Sequence, residues 1–464
     1  MPHTRLRGAL AMPTRRSLIA AAVAALTGGL VGLPARAFAQ KGLRPGGGLG
    51  PRGAEPVTEA FERALAEAAK TGRPVDLEAG VYTIESLRLP AGTTLRGAPG
   101  ATVIRAAGSQ PPLSASRVDG IRLRDLWFEG PGGKTGNGKG AGDQALFAAE
   151  TVRGLHIRDC TFARAPGLGV RLTDVGGRIE ACRIEGAGRI GLFALDCDYL
   201  TVTGSVVSDC GDGGILVWRS RIGEDGAQLR GNRIFRIRAE SGGTGQNGNG
   251  INLYRAGNVI VAENTVVDCA FSAIRANSAS DVQILSNQCL RSGETAIYAE
   301  FAFQGAVISG NLVDGAANGI SVTNFNQGGR LASVTGNIVR NLKPAGPYRT
   351  DPPGFGIGIA VEADAAITGN VVEGAPLAGL WLGFGAYLRD IVASANVIRD
   401  TDYGIAVSVV DGAGPVVIAQ NLIRNARRGA IVGFRQATPA TGDLATGGAE
   451  AWRGLTITGN RVVG

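Results

Sequence analysis

Three acids recur along the chain at nearly even spacing. Glu150, Asp174 and Asp196 stand 24 and 22 residues apart, each after a short phrase of alternating apolar residues. In a fold that repeats with that period they fall in one row. Carboxylates in a row repel each other unless a cation, a neighbouring arginine or a raised pKa offsets the charge. Such a row suits a calcium ion, which takes carboxylate oxygens, or an acid/base pair. It equally suits turn residues that spend their carboxylates on nearby backbone. Arg219 continues the row with the opposite sign. Glu300 and Glu362 share another phase two repeats apart, hence about 9–10 Å. Inverting glycosidases separate their carboxylates by about 6.5–9.5 Å, so this pair is a second catalytic candidate; two solvated surface carboxylates are the alternative. Trp218, Tyr254, Arg275, Tyr298 and Trp381 occupy outward positions of the same phrases, in rows headed by Phe147 and Ala149, and Arg255 continues the row of Glu150 beyond Arg219. Aromatic faces stack on apolar sugar faces and arginine forks bind carboxylates. Together with Arg219 these are the candidate substrate contacts.

The elements that must position these groups are legible as a repeat. An alternating apolar run ending in Asn recurs at Asn232, Asn264, Asn287, Asn311, Asn337, Asn370, Asn396, Asn421 and Asn460, mostly in steps of 23 to 26 residues. Between these runs stands a second phrase, Gly then apolar-x-apolar, as in Gly250-Ile251-Asn252-Leu253, Gly319-Ile320-Ser321-Val322 and Gly379-Leu380-Trp381-Leu382. Period-two alternation makes each phrase a short strand. Two or three short strands per repeat make one coil of a parallel β-helix, and stacked coils bury a continuous apolar column. The expected fold is all-β: a right-handed parallel β-helix solenoid of about 14 coils from Leu95 to Val463, roughly 65 Å long. Asn at the bend tolerates left-handed backbone and can bond the Asn of the next coil, forming a ladder. Ser205, Cys182 and Cys160 take the ladder position in earlier coils. The six cysteines fit buried sites as small apolar residues. A Cys160–Cys182 bridge between adjacent coils is sterically open.

Composition narrows the class. With 73 Gly in 464 residues, a helical bundle is disfavoured, since each interior Gly costs a helix about 1 kcal/mol. Abundant Val, Ile and Leu argue against disorder. The net charge of +8 falls to +3 without residues 1–39, which hold Arg5, Arg7, Arg15, Arg16 and Arg36 and no acid. The basic balance is that of a targeting segment and gives no support to nucleic-acid binding. Thr14-Arg15-Arg16-Ser17-Leu18 is a twin-arginine pattern. A short apolar stretch and Ala37-Phe38-Ala39 follow it, as in a cleavable signal. The sequence thus divides into a twin-arginine signal peptide (1–39), a Gly/Pro-rich flexible linker (40–54), a cap helix with leading strands (55–92) and the β-helix (93–464). A periplasmic or secreted protein is expected, exported folded by the twin-arginine machinery, with no stable membrane span in the mature chain.

Glu55 to Lys70 reads as an amphipathic helix with Phe61 and Leu65 on its apolar face, followed by Gly80-Val81-Tyr82-Thr83-Ile84. This leading segment resembles that of pectate-lyase-like β-helix proteins, in which a helix caps the open first coil. Signal, helix and Asn ladder together resemble the twin-arginine-translocated uncharacterised repeat family of that superfamily. The resemblance implies fold and export and assigns no reaction. Motifs of enzymatic relatives are missing. There is no Asp-Asp pair and no Gly-His-Gly as in polygalacturonases, His156 being flanked by Leu155 and Ile157, and no Asp-Pro-His-Asp as in alginate epimerases. Insertions at Gly130 to Gly142, Ala239 to Asn249 and Asn341 to Gly356 leave one corner of the coil and could wall a groove. A fourth, Arg435 to Trp452, leaves another corner. Two functions fit: a lyase or hydrolase acting on an extended, acidic polysaccharide, or a non-catalytic periplasmic rod that binds glycan or a protein partner.

Overall fold

The structure is a computed structural model that describes residues 57–131, 142–243, 245–324 and 328–464. The signal segment 1–39 with Arg15 and Arg16, the linker 40–54 and residues 132–141 of the first insertion lie outside the described residues. Helix α1 spans Val57–Thr71, close to the expected Glu55–Lys70. It buries Phe61 and Leu65 over the first coil, where the Phe61 ring meets Tyr82 edge-on at 6.2 Å. The open end of the apolar column is thereby covered, as an exposed edge requires.

The described residues after the helix form a right-handed parallel β-helix, with one antiparallel hairpin near the C-terminal end. Each coil carries three short strands, and each strand pairs in parallel with its counterpart one coil on. In the first column, residues of the Gly-apolar phrases stack in register: Ile251 with Ile274, Ile274 with Ile297, Ile297 with Ile320. In the second, Val261 pairs with Ile284 and Ile284 with Ile308. In the third, Val266 pairs with Cys289 and Cys289 with Val313. The inward residues of all three columns form one buried core running from Phe61 to Leu444. Gly is needed where the first column begins. At Gly319 a Cβ would lie 2.2 Å from the Gly358 carbonyl and 2.5 Å from Val339 Cγ1.

The second and third columns meet at the asparagine bend. From Asn232 to Asn421 every ladder Asn donates both its backbone N–H and its Nδ2 to Oδ1 of the next, ending on Asn460, at 2.9–3.0 Å. The ladder runs upstream as expected. Ser205 N–H donates to Asn232 Oδ1, and Cys182 N–H donates to Ser205 Oγ. All six cysteines are buried and free, so Cys160 and Cys182 are not bridged. Burial pushes the thiols of Cys182, Cys197, Cys210 and Cys289 up to about 12.

Two corners carry the rest of the chain. The segments at 239–249 and 341–356 both leave the third column and return to the first, as expected of groove walls. The strand Leu422–Arg435 continues into a hairpin with Thr438–Asp443, whose pairing is antiparallel. The corner after the first column is a left-handed turn. Thr151, Asp174, Asp196, Arg255, Ser278 and Phe301 there have φ between 51° and 67°.

Candidate functional site

The row of three acids does not form. In register, Glu150 pairs with Thr173, one position before Asp174. Glu150 therefore belongs to the outward row that continues through Thr173, Leu195, Trp218, Tyr254, Asn277, Glu300 and Thr323. Asp174 and Asp196 sit in the left-handed turn beyond it. Each is spent there. Arg153 Nη2 donates to Asp174 Oδ1 at 2.6 Å, and this bond holds the Asp174 carboxyl below its usual range. Asp196 accepts the Ser220 N–H at 2.7 Å and the Ser220 hydroxyl at 2.6 Å. Both acids stabilise turns, as Asx-type residues do. The calcium reading fails with the row: among the described residues no group of three His, Cys, Asp or Glu side chains is placed to hold a metal ion. Arg219 also turns away from the first column, donating to the Cys197 carbonyl at 3.0 Å and lying 3.4 Å from Asp198 and 3.6 Å from Asp225.

Glu300 is not a solvated carboxylate, nor half of an open pair with Glu362. It is 1% exposed, and Arg275 grips it with a fork, Nε to Oε1 at 2.7 Å and Nη2 to Oε2 at 2.9 Å. Asn277 Nδ2 adds a bond at 2.8 Å. These three bonds occupy both carboxylate oxygens. Glu362 lies two coils on, as expected, and accepts the Asn324 N–H at 2.8 Å.

A second, equally buried carboxyl at this site belongs to a residue absent from the sequence-based candidates. Glu294, also 1% exposed, accepts from Ser272 Oγ at 3.2 Å and from the Tyr348 hydroxyl at 2.5 Å, and lies 3.4 Å from Arg275 Nη1. Burial raises its pKa despite the arginine. Burial also works against the Arg275 charge, but the Glu300 bonds outweigh it and lift the guanidinium. The Arg275 guanidinium lies 4.9 Å from the Tyr298 ring, and burial pushes the Tyr298 phenol up to about 12. Both insertions roof this cluster. A Cβ at Gly245 would come within 2.9 Å of the Arg275 guanidinium, while Tyr348 stacks on Phe271 at 6.1 Å and meets Phe355 at 5.7 Å. No repeat fixes the register of an insertion, so Tyr348 had no signal in the sequence. Glu294 had one: a lone acid just before the Thr295–Glu300 strand.

Aromatic residues extend the site toward the N-terminus. Phe193, Trp218 and Tyr254 stand on three consecutive coils, with ring centroids 5.4 Å and 5.7 Å apart and edge-to-face. Trp218 Nε1 donates to Asn252 Oδ1 at 3.0 Å, which fixes the indole. The Arg255 guanidinium covers the Tyr254 ring at 4.7 Å and donates to the Ser220 carbonyl. Arg171 pairs in register with Phe193 and, among the described residues, makes no ion pair. Trp381 is no open stacking surface. It is 5% exposed, packed 4.8 Å from Phe434, which in turn meets Tyr403 at 5.0 Å. This cluster packs the C-terminal part of the column.

Comparison with known proteins agrees with the fold. A family model described as right handed beta helix region matches residues 168–338 and 225–388. No curated protein matches the sequence. Among solved structures, the chain is similar to the pre-mature gene product 12 of bacteriophage phi29, at 14% identity and a TM-score of 0.50 over 88% of this chain and 55% of that one. It therefore spans about half the length of that protein. It is also similar to the catalytic unit of the GH87 alpha-1,3-glucanase of Streptomyces thermodiastaticus, at 16% identity and a TM-score of 0.41, covering 91% of this chain and 69% of that one. The A-module of mannuronan C-5 epimerase AlgE6 of Azotobacter vinelandii gives 13% identity and a TM-score of 0.44, covering 88% of this chain and 96% of that one. The class is defined: a right-handed parallel β-helix.

Proposed function

We propose that this chain is an exported protein that binds an extended, acidic polysaccharide along the first column. The observation that carries the reading is the run Phe193, Trp218 and Tyr254 on consecutive coils, leading into the roofed Arg275 cluster. Coils repeat at about 4.8 Å, so the run places one aromatic ring on each of three successive coils along the rod axis, packed edge-to-face. A polymer laid along that axis meets one platform after another, which is how aromatic residues hold sugars. Arg171 supplies an unspent cation at the head of the run, and the acidic preference rests on it. Export rests on Arg15-Arg16 and the apolar stretch behind it, and with it the kinship to the twin-arginine-translocated repeat family. Among the described residues no helix is long and apolar enough to cross a membrane.

A catalytic role is the second reading. Glu294 and Tyr348 favour it, a buried acid of raised pKa under a phenol at the edge of the groove. The test is a panel of uronate-rich and neutral polysaccharides, with binding read by indole fluorescence and cleavage by unsaturated or reducing ends. Trp218→Ala should weaken binding about tenfold or more, the scale of a stacking residue at a hot spot. Binding that survives this change, or that prefers neutral chains, refutes the proposed face or its acidic preference.

A further inference from the structure

Round the corner from the aromatic run, the second column carries a separate cavity of about 560 Å³, lined among others by Arg153, Gly176, Gly177, Arg178, Asp198 and Tyr199. Its volume falls in the range of small-molecule sites, about 300–1,000 Å³. Three features make it more than a dent between coils.

Tyr199 has left-handed backbone, φ 51°, an uncommon state for a bulky residue and a costly one. Its ring is nevertheless 63% exposed, so burial does not repay the strain. The ring is also fixed. Its hydroxyl donates to Glu224 Oε1 at 2.6 Å, and one face lies so close to Gly226 that a Cβ there would sit 2.5 Å from Tyr199 Cδ1. A strained, exposed and immobilised aromatic ring presents its other face to solvent at no further entropy cost.

The floor is glycine. The strand register slips between Gly176 and Gly177. A Cβ at Gly176 would stand 3.3 Å from the Asp198 carbonyl and 3.4 Å from Arg153 Cδ, between two lining residues. Only a residue without a side chain leaves this space open.

The charges are unequally spent. Arg153 is committed to Asp174, through Oδ1 at 2.6 Å and its carbonyl at 2.7 Å, and lies 3.6 Å from Asp198. Glu180 is held by His156 Nε2 at 2.8 Å. Arg178 reaches Glu180 only at 3.9 Å and its side chain is 60% exposed. Its guanidinium fork is thus available beside the Tyr199 ring.

We propose that this cavity binds a single hexuronate unit, at a site distinct from the first column. The apolar sugar face stacks on Tyr199, the carboxylate takes the Arg178 fork, and Asp198 accepts sugar hydroxyls. The proposal stands on its own geometry and does not need the polysaccharide reading of the aromatic run.

The test is saturation-transfer NMR on the full chain with D-galacturonate, D-glucuronate and D-mannuronate, and with D-galactose as the neutral control. At least one uronate should bind, and galactose should bind at least about tenfold more weakly, as expected for loss of one charge-assisted fork. Tyr199→Asn removes the ring while keeping a residue that tolerates left-handed backbone, and Arg178→Gln removes the charge. Each should weaken uronate binding about tenfold, with the melting temperature read alongside. Silence from all three uronates overturns the site. So does equal binding of galactose, or uronate binding that both Arg178→Gln and Tyr199→Asn leave intact. Failure of polymer binding at Trp218 leaves these readings intact, so the two proposals fail separately.

Discussion

Asn311→Ala is the sharpest test of what holds the rod together. The Asn311 side chain makes four bonds. Nδ2 donates to the Ile284 carbonyl at 2.9 Å and to Asn337 Oδ1 at 2.9 Å. Oδ1 accepts from the Asn287 N–H at 2.9 Å and from Asn287 Nδ2 at 3.0 Å. Truncation does not orphan every partner. Asn337 Oδ1 keeps the Asn311 N–H, and Asn287 Nδ2 keeps the Val261 carbonyl. The Asn287 N–H loses its bond with nothing at the ladder to replace it, whereas the Ile284 carbonyl stays in the strand ladder, in register with Ile308. A buried polar group left without a partner costs about 1–3 kcal/mol, which is the loss expected here. The measurement is a urea midpoint followed by far-ultraviolet dichroism, with the slope checked for constancy. Asn460→Ala is the control. Asn460 has the same kind of partners, accepting from Asn421 and donating to the Ile418 carbonyl at 2.9 Å, but it is half-exposed and water can replace what is lost. Its cost should be less than half that of Asn311. An unchanged midpoint for Asn311→Ala, or equal costs at both positions, refutes the buried-ladder reasoning.

Two further outcomes are expected. Asp225 is buried and its carboxyl is raised to about 7 by desolvation, Arg219 notwithstanding. A carboxyl whose pKa rises on folding lends stability that is complete below its ordinary value, about 3.9, and is lost as pH climbs through about 7. Asp225→Asn should therefore flatten melting temperature against pH across that window, and an undiminished slope would mean Asp225 is ionised in the fold. Replacing Arg15 and Arg16 together by Lys should leave the precursor in the cytoplasm on fractionation; normal export of that variant would exclude the twin-arginine route.

The fold was legible because a solenoid writes its period into the sequence. Nine asparagines at one bend and glycines at another define strand, corner and register from Asn232 onward. The site was legible only where alternation was clean. Leu146-Phe147-Ala148-Ala149 is apolar at every position, so nothing fixes which residues point outward. The sequence reading set Phe147 outward and advanced the row by one residue. The structure buries Phe147 and pairs Ala148 with Arg171, which moves Glu150 out of line with Asp174. Trp381 sits in a similar run, Ala378-Gly379-Leu380-Trp381-Leu382, and packs against Phe434 from a hairpin that carries no repeat. Tyr254 and Arg275 were placed correctly because polar neighbours mark the phase of their strands. What they touch was not readable, since the segments that roof Arg275 are insertions.

The disposition of charge favours holding a chain over cutting one. Acid/base chemistry needs a carboxyl that exchanges a proton near the working pH and reaches the substrate. On this face Asp174 is tied to Arg153, Asp196 to Ser220, Glu300 to Arg275 and Asn277, and Glu362 accepts the Asn324 N–H. The Arg153 bond favours the ionised form of Asp174, and the bonds to the other three occupy carboxylate oxygens that a substrate proton would need. Glu294 is the exception in pKa but not in access, since it lies under Tyr348 with Ser272 against it. The aromatic run has the opposite character. Its rings are fixed by edge contacts and by the Trp218–Asn252 bond, and they repeat with the coil. Pre-ordered aromatic faces supply contact area at little entropic cost. A surface whose acids are spent on its own fold while aromatic rings stand on successive coils fits the proposed binding along the rod, and Glu294 is the carboxyl on this face that the second, catalytic reading would use.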